Sequence, residues 1–357
     1  MNHYPSNVKE KLNSIILSMA EHHWLFSKNP GHDFTRQHLG KLSFYDTMRL
    51  IISMGKGSTN DEIMDYFDLD PDLIPSQSAF CQRRRQISLS AFEYLFSEFS
   101  SSFPSTTDKF KDHCILACDG CHVVYATNSD IIEDYNKPRL IDYKGYNHMH
   151  LNGFVDVISK AFLDVVIQPG QQPDEREALH SMLDHFTPDD PQKYIITADR
   201  GYESYDLLFH CEFKNLGYVF RVKSPSSPKS ILSYYASELP DDLEEFDVTI
   251  KRFFTDKATN IMKSQSDVYR YINPSKNTSH FYELLRKKHS HLYFLQFRVV
   301  KIKTSENTYE YLITNLPFSF TLDDIRECYH WRWGIEISFR YLKHAAGILY
   351  FHPKQPE

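Results

Sequence analysis

The sequence predicts an α/β protein in which a helical N-terminal region precedes a layer of strands and helices, itself interrupted by a β-rich segment. Apolar positions recur at helical spacing through the first hundred or so residues, as in Leu12, Ile15, Ile16 and Met19 and again in Phe44, Met48, Ile51 and Ile52. From about residue 112 the pattern changes to short β-rich runs separated by helical stretches, the alternation of an α/β layer. From about 224 to 305, Pro225, Pro228, Pro240 and Pro274 punctuate β-leaning runs.

In the helical region Gly55 and Gly57 end one helix. Ser58 or Thr59 caps the next, and Pro75-Ser76 starts a third that carries Phe80 and the triplet Arg83, Arg84 and Arg85. This succession is similar to a helix-turn-helix, and the arginines are candidates for phosphate and groove contacts on DNA. Strands are then expected at Cys114–Asp119, resuming at His122–Ala126, at Leu151–Ile158 and at Ala161–Ile167, followed by a helix from Asp174 to Phe186. Tyr194–Ala198 reads as a strand closed by Asp199-Arg200-Gly201, Tyr205–Phe213 as a helix and Tyr218–Val222 as a strand. Within the β-rich segment, Asp247–Phe254, Val268–Ile272 and Tyr293–Val300 lean to strand. Tyr309–Asn315 returns as a strand, and one long helix runs from Leu322 to about Leu349, capped by Thr321 with Asp323 and Asp324 in its first turn. The expected parts are therefore residues 1–108, 109–223, 224–306 and 307–357.

At 357 residues and 42.1 kDa the chain has room for two or three units at roughly 150 residues each. Hydrophobic residues at 41%, charged residues at 24% and a mean hydropathy of -0.48, with no long apolar run, exclude a membrane-spanning chain. The N-terminus lacks a basic stretch followed by an apolar one and a cleavage site, so a cytoplasmic location is expected. Six cysteines are too sparse for a disulfide scaffold. Cys118 and Cys121 form a CxxC with Cys114, His113 and His122 nearby. In a strand such neighbours point to opposite faces, and they read as core rather than as a zinc or redox site. The net charge of -7 argues against a nucleic-acid partner only on average. Twelve Lys and Arg against three acids between Val248 and Lys303 give that stretch about +9, a local patch able to grip phosphates.

The C-terminal helix holds the most informative residues. At about 100° per residue, Tyr329, Arg332, Glu336, Arg340 and Lys343 fall within about 80° of one another, while Trp331, Ile335, Leu342 and Ala345 take the opposite side. One carboxylate among cations suits a site for both a metal and phosphates. Asp119 and Asp199 each end an apolar run, where an ionised carboxylate needs a partner. If the two strands are adjacent, both carboxylates meet at one sheet edge, within reach of Glu336. Three convergent carboxylates can hold divalent cations for phosphoryl transfer, Mg²⁺ by the oxygen ligands, with Mn²⁺ as a substitute.

These residues resemble a known family. Tyr329, Arg332, Glu336 and Lys343 match every interval of the Tyr-Arg-Glu-Lys signature of the insertion-sequence-four group of bacterial Asp-Asp-Glu (DDE) transposases, with Trp333 in the aromatic position after the Arg. Asp119-Gly120, Asp199-Arg200-Gly201-Tyr202 and Thr314-Asn315-Leu316 look like the family's other blocks, and the likeness covers about residues 40 to 350. It implies a ribonuclease H-like catalytic core interrupted by a β-rich insertion and preceded by a helical DNA-binding domain. It also implies metal ligation and catalysis by Asp119, Asp199 and Glu336. Phosphate or DNA contacts would come from Tyr329, Arg332, Trp333, Arg340 and Lys343. The implied partners are double-stranded DNA, as terminal inverted repeats and target, and a second copy of the chain pairing two ends. The implied chemistry is hydrolysis at the ends, by way of a hairpin in some relatives, then attack of the freed 3′-hydroxyl on target DNA.

Two departures bear on these expectations. Relatives commonly carry a Trp in the insertion to stack a flipped base; Trp24, Trp331 and Trp333 are the only tryptophans here, leaving Phe253, Phe254 or Tyr293 as substitutes. The sequence also ends at Glu357, where further helix for dimer contacts is expected, as in a truncated copy. The rival reading is accordingly a transposase-derived DNA-binding protein without catalysis.

Overall fold

The computed structural model describes residues 4–35, 42–55, 57–102, 109–137, 145–345 and 347–348. The chain divides into two compact units, residues 1–104 with 341–357, and residues 105–340.

The first unit contains helices α1 (Tyr4–Glu21), α2 (Phe44–Ser53), α3 (Thr59–Tyr66), α4 (Gln77–Gln86) and α5 (Leu89–Ser101). Serine side chains cap three of them. Ser43 forms a reciprocal capping box with Asp46, Ser58 accepts from the Asp61 N–H and Ser76 from the Ala79 N–H, each satisfying donors that the helix cannot. Ile16, Met19, Phe44, Met48 and Ala91 close one small core, and Leu42, Leu50, Ile63 and Phe80 another. The Arg83–Arg85 triplet occupies the last turn of α4, where cations also complement the helix dipole. Arg83 lies over the Phe34 ring and Arg84 over the Phe80 ring, 5.3 and 5.9 Å from their centroids. Arg84 and Arg85 are exposed.

The second unit is built on one mixed sheet. Its strands are β1 (Cys114–Tyr125), β2 (Tyr135–Asn136), β3 (Tyr146–Asp156), β4 (Ala161–Pro169), β5 (Tyr194–Ala198), β6 (Gly217–Val222), β7 (Phe246–Thr255), β8 (Tyr269–Tyr271), β9 (Leu292–Ser305) and β10 (Thr308–Thr314). The order is β2-β3-β1-β5-β6-β10-β9-β7-β8, with β4 also on β3. Strands β1, β3 and β4 form an antiparallel meander, after which β5 runs parallel to β1 and β6 parallel to β5. Helices α6 (Glu175–His185) and α7 (Tyr205–Phe213) make the two crossovers, as parallel neighbours require. The remaining helices are α8 (Asn260–Ser264), α9 (Ser279–Lys287), α10 (Leu322–Trp331) and α11 (Gly334–His344).

Three sequence expectations change. The first strand does not stop at Asp119 and resume at His122: β3 pairs with it continuously, Asp119 opposite Gly153 and Gly120 opposite Asn152. The 224–306 segment is not mostly β, since α9 carries Phe281, Leu284 and Leu285 inward at helical spacing. Its strands β7 and β9 continue the same sheet through β10.

The long C-terminal helix is two helices. The N–H groups of Arg332, Trp333 and Ile335 donate to carbonyls three residues back, at 3.0 to 3.1 Å, which tightens the turn between α10 and α11. Gly334 permits this seat, because a Cβ there would lie 3.0 Å from the Val157 Cβ and 3.2 Å from its carbonyl oxygen. Further along, Phe339 packs over Gly153 of β3, where a Cβ would come within 3.2 Å of its ring. The expected end of the helix at Leu349 lies outside the described residues, and among those described no helix is long and apolar enough to cross a membrane.

Candidate active site

Strand register brings the two aspartates together. Cys118 of β1 is opposite Ala198 of the parallel β5, so the backbones of Asp119 and Asp199 follow on neighbouring strands, about one strand spacing of 5 Å apart. Both backbones remain extended there, Asp199 with φ -77° and ψ 172°. The Gly153 and Val157 seats place the first turn of α11, with Glu336, over this edge.

Arg332 sits among the carboxylates. Its Nη1 lies 3.8 Å from Asp119 Oδ2 and its Nη2 3.4 Å from Glu336 Oε1, with the arginine side chain only 3% exposed. Burial works against the guanidinium charge, but Tyr329, Asp199, Asp119 and Glu336 outweigh it and raise the arginine's pKa. Burial pushes Asp119 from 3.8 up to about 6; the Gly120 N–H and Arg332 oppose the rise, and Glu175 and Glu336 add to it. Asp199 accepts from the Arg200 N–H at 2.5 Å and pairs with Arg221 at 3.5 Å. Burial raises the Tyr329 phenol to about 12. Among the described residues, the buried donors Tyr329 Oη and Arg332 Nε have no hydrogen-bond partner, a state that invites an acceptor oxygen.

The first part of the stripe, Tyr329 and Arg332, is therefore not a solvent face. Tyr329 and Arg332 are buried because they turn onto the carboxylate cluster, whereas Trp331, expected on the packed side, is 39% exposed. Trp333 is 49% exposed, with its ring 4.9 Å from the Arg332 guanidinium. Arg340 is exposed one turn after Glu336, and Lys343 is half-buried on the last turn of α11, in the part of the helix that belongs to the helical unit.

Two neighbours went unread in the sequence. Glu175, at the N-terminus of α6, lies 3.1 Å from His150 Nε2 and acts on Asp119 electrostatically. Arg221 of β6 bridges Asp199 and Glu310, the latter at 3.2 Å. A charge inside the apolar run of β6 was the available signal for Arg221; nothing local marked Glu175, which looks like an ordinary first-turn acid. Gly120 gives the Glu175–His150 pair its room, since a Cβ there would fall 2.2 Å from His150 Nε2 and 2.7 Å from Glu175 Oε1. His150 is buried and cannot swing clear, so Gly120→Ala is expected to cost about 1–3 kcal/mol in urea unfolding; an unchanged midpoint would contradict this packing.

Other candidates separate. Phe254 is fully buried and cannot stack a base, and Tyr293 is tied to Glu212 by a 3.2 Å hydrogen bond. Phe253 keeps an exposed ring, 5.2 Å from that of Phe294. Part of the basic stretch is neutralised internally: Arg252 pairs with Glu238, Arg298 with Asp247 and Lys301 with Asp241, all three cations buried. Lys251, Lys257, Lys263, Arg286, Lys287 and Lys288 remain exposed. Burial raises the thiols of Cys118, Cys211 and Cys328, keeping them protonated.

No curated protein matches the chain. Among solved structures it is similar to a chain of the piggyBac transposase synaptic complex with hairpin DNA, at 10% identity and a TM-score of 0.43, covering 85% of this chain and 61% of that one. It thus spans about three fifths of that chain's length. The family model described as the transposase DDE domain matches residues 110–357. That span holds Asp119, Asp199 and Glu336 and more than two thirds of the sequence, and the chain belongs to the DDE transposase family.

Proposed function

We propose that residues 105–340 form the ribonuclease H-like catalytic core of a cut-and-paste DNA transposase of the insertion-sequence-four group. The order β4-β3-β1-β5-β6, with its antiparallel meander followed by two parallel strands, supports the core assignment. The observation that carries the function is the in-register pairing that sets Asp119 beside Asp199 while Arg332 links Asp119 to Glu336. In this reading residues 1–108 bind DNA, with Arg83, Arg84 and Arg85 as candidate contacts, and residues 224–306 are an insertion between the second Asp and the Glu.

The donor set fits a divalent metal. Asp119, Asp199 and Glu336 offer hard oxygen ligands, as Mg²⁺ prefers and Mn²⁺ accepts, and burial, with Glu175 and Glu336 adding to it, raises Asp119, whose ionised form a bound cation would favour. When bound, such ions activate an attacking oxygen and stabilise a leaving one. The chain's own groups do the rest. Arg332 and Tyr329 donate to a DNA phosphate from buried positions, Arg340 adds charge one turn after Glu336, and exposed Trp333 offers a stacking face. Hydrolysis breaks a phosphodiester to a 3′-hydroxyl and a 5′-phosphate. That hydroxyl then attacks a target phosphorus, forming one P–O bond as it breaks another. Two copies would pair the two ends.

The test is Mg²⁺- or Mn²⁺-dependent cleavage of a labelled duplex carrying the element's terminal repeats, with Glu336→Gln as control. Cleavage by the unaltered chain alone is expected. Binding without cleavage in either metal would favour the non-catalytic DNA binder.

A further inference from the structure

A second cluster of ligand-type side chains lies away from the carboxylates. His180 on α6, His210 on α7 and His280 on α9 stack nearly parallel, with ring centroids 3.9 to 5.2 Å apart and 5 to 15° between planes. One nitrogen from each ring lies within 4.8 Å of the others. His180 and His210 turn their Nδ1 atoms toward each other at 2.9 Å. Side-chain exposures are 9%, 1% and 15% for the three histidines.

We propose that His180, His210 and His280 form a structural site for Zn²⁺ or a similar nitrogen-seeking transition metal, oriented by Asp206. Three features support it. Asp206, 1% exposed, accepts from the Phe281 N–H at 3.1 Å and holds His280 Nδ1 at 2.9 Å, which leaves the other ring nitrogen of His280 as its free lone pair. A carboxylate behind an imidazole is the usual support of a metal-binding histidine. Secondly, His210 Nε2 is fully buried without a hydrogen bond, although Asp184 Oδ1 lies 3.2 Å away in poor alignment. Thirdly, burial above all lowers His180 to about 4 and His210 to about 2, so both rings are in the neutral form that metals bind, while Asp206 raises His280 against its burial, so that a metal there would displace a proton.

The geometry is within reach. Zn–N bonds of about 2.0–2.1 Å put neighbouring tetrahedral ligands about 3.4 Å apart. The rings must close by roughly 1 Å and rotate about χ2, a torsion with broad minima. A cavity of about 310 Å³, lined in part by His180, Asp206, Ser204, Asn277 and Ser279, supplies access and room for a water as fourth ligand. Imidazole ligands select Zn²⁺ over the Mg²⁺ suited to the carboxylate site. Helix α9 comes from the 224–306 segment and α6 and α7 from the sheet crossovers, so the ion would pin that segment to the core.

The experiment uses the full chain carrying Asp119→Asn and Glu336→Gln, to silence the oxygen-ligand site, stripped with chelator and titrated with Co²⁺ and then Zn²⁺. One equivalent of Co²⁺ with the intense visible absorption of a four-coordinate ion, displacement by Zn²⁺ and a raised melting temperature are expected. Adding His280→Gln should abolish the absorption, and Asp206→Asn should weaken binding about 10- to 100-fold. Absence of the absorption and of the melting shift in the parent overturns the proposal, whether or not the histidine variants fold. Persistence of both in a folded His280→Gln protein also overturns it.

Discussion

Asp119→Asn is expected to stabilise the metal-free protein while removing its cleavage activity. A carboxyl moved from 3.8 to about 6 by folding prefers its proton in the native state, so ionisation costs the native state about 3 kcal/mol. The sign follows from the direction of the shift. The cost is absent below the ordinary value near 4, grows as pH rises and is complete above about 6. Asparagine keeps the acceptor for the Gly120 N–H, 2.9 Å away in the native side chain, and carries no charge. Urea unfolding in chelator should therefore show the variant ahead by about 3 kcal/mol at pH 7.5, with the advantage vanishing by pH 4. The same substitution removes a metal ligand, and several kcal/mol of lost transition-state stabilisation corresponds to about a 10³-fold fall in cleavage or more. Binding to terminal-repeat DNA should change little. A less stable variant at pH 7.5 would mean that the Arg332 attraction exceeds the burial cost, and equal loss of binding and cleavage would contradict the assigned role.

Much of this site was legible because its parts are local. Asp119 and Asp199 end apolar runs that become parallel neighbours, and the Tyr329, Arg332, Glu336 spacing survives the break in the helix. The break itself was not legible, since the tighter turn comes from Gly334 meeting Val157, a residue distant in sequence in the turn after β3. Burial of Tyr329 and Arg332 was missed for a related reason: periodicity separates two helix faces but does not say which one meets buried carboxylates. Glu175 reaches the cluster only through the close approach that Gly120 allows. The charge of the basic segment was counted correctly, yet its partners Glu238, Asp241 and Asp247 precede the counted stretch, so Arg252, Arg298 and Lys301 turned inward. Helix α9 carried its signal, Phe281 with Leu284 and Leu285, but nine residues between strand-like runs are too few to outweigh them.

Arg332 should prove to be the resident counter-ion of the site. It is 3% exposed and faces a cluster in which Asp119, Asp199 and Glu336 all favour its charge. Replacing it with methionine keeps the apolar stem but strands the carboxylates, and breaking a buried pair from one side costs about 3–5 kcal/mol. That loss is expected in urea unfolding of Arg332→Met in chelator at pH 7.5. Two further measurements tie it to charge rather than packing. Because the lost neighbour is carboxylate charge, Asp119→Asn/Arg332→Met should lose less than the sum of its single changes, by about 0.5–3 kcal/mol. Mg²⁺ should also restore more stability to Arg332→Met than to the unaltered protein, since a divalent cation offsets the same negative charge. Strict additivity together with no extra Mg²⁺ effect would make Arg332 a packing residue. Its proposed hold on the DNA phosphate would then need support from binding data alone.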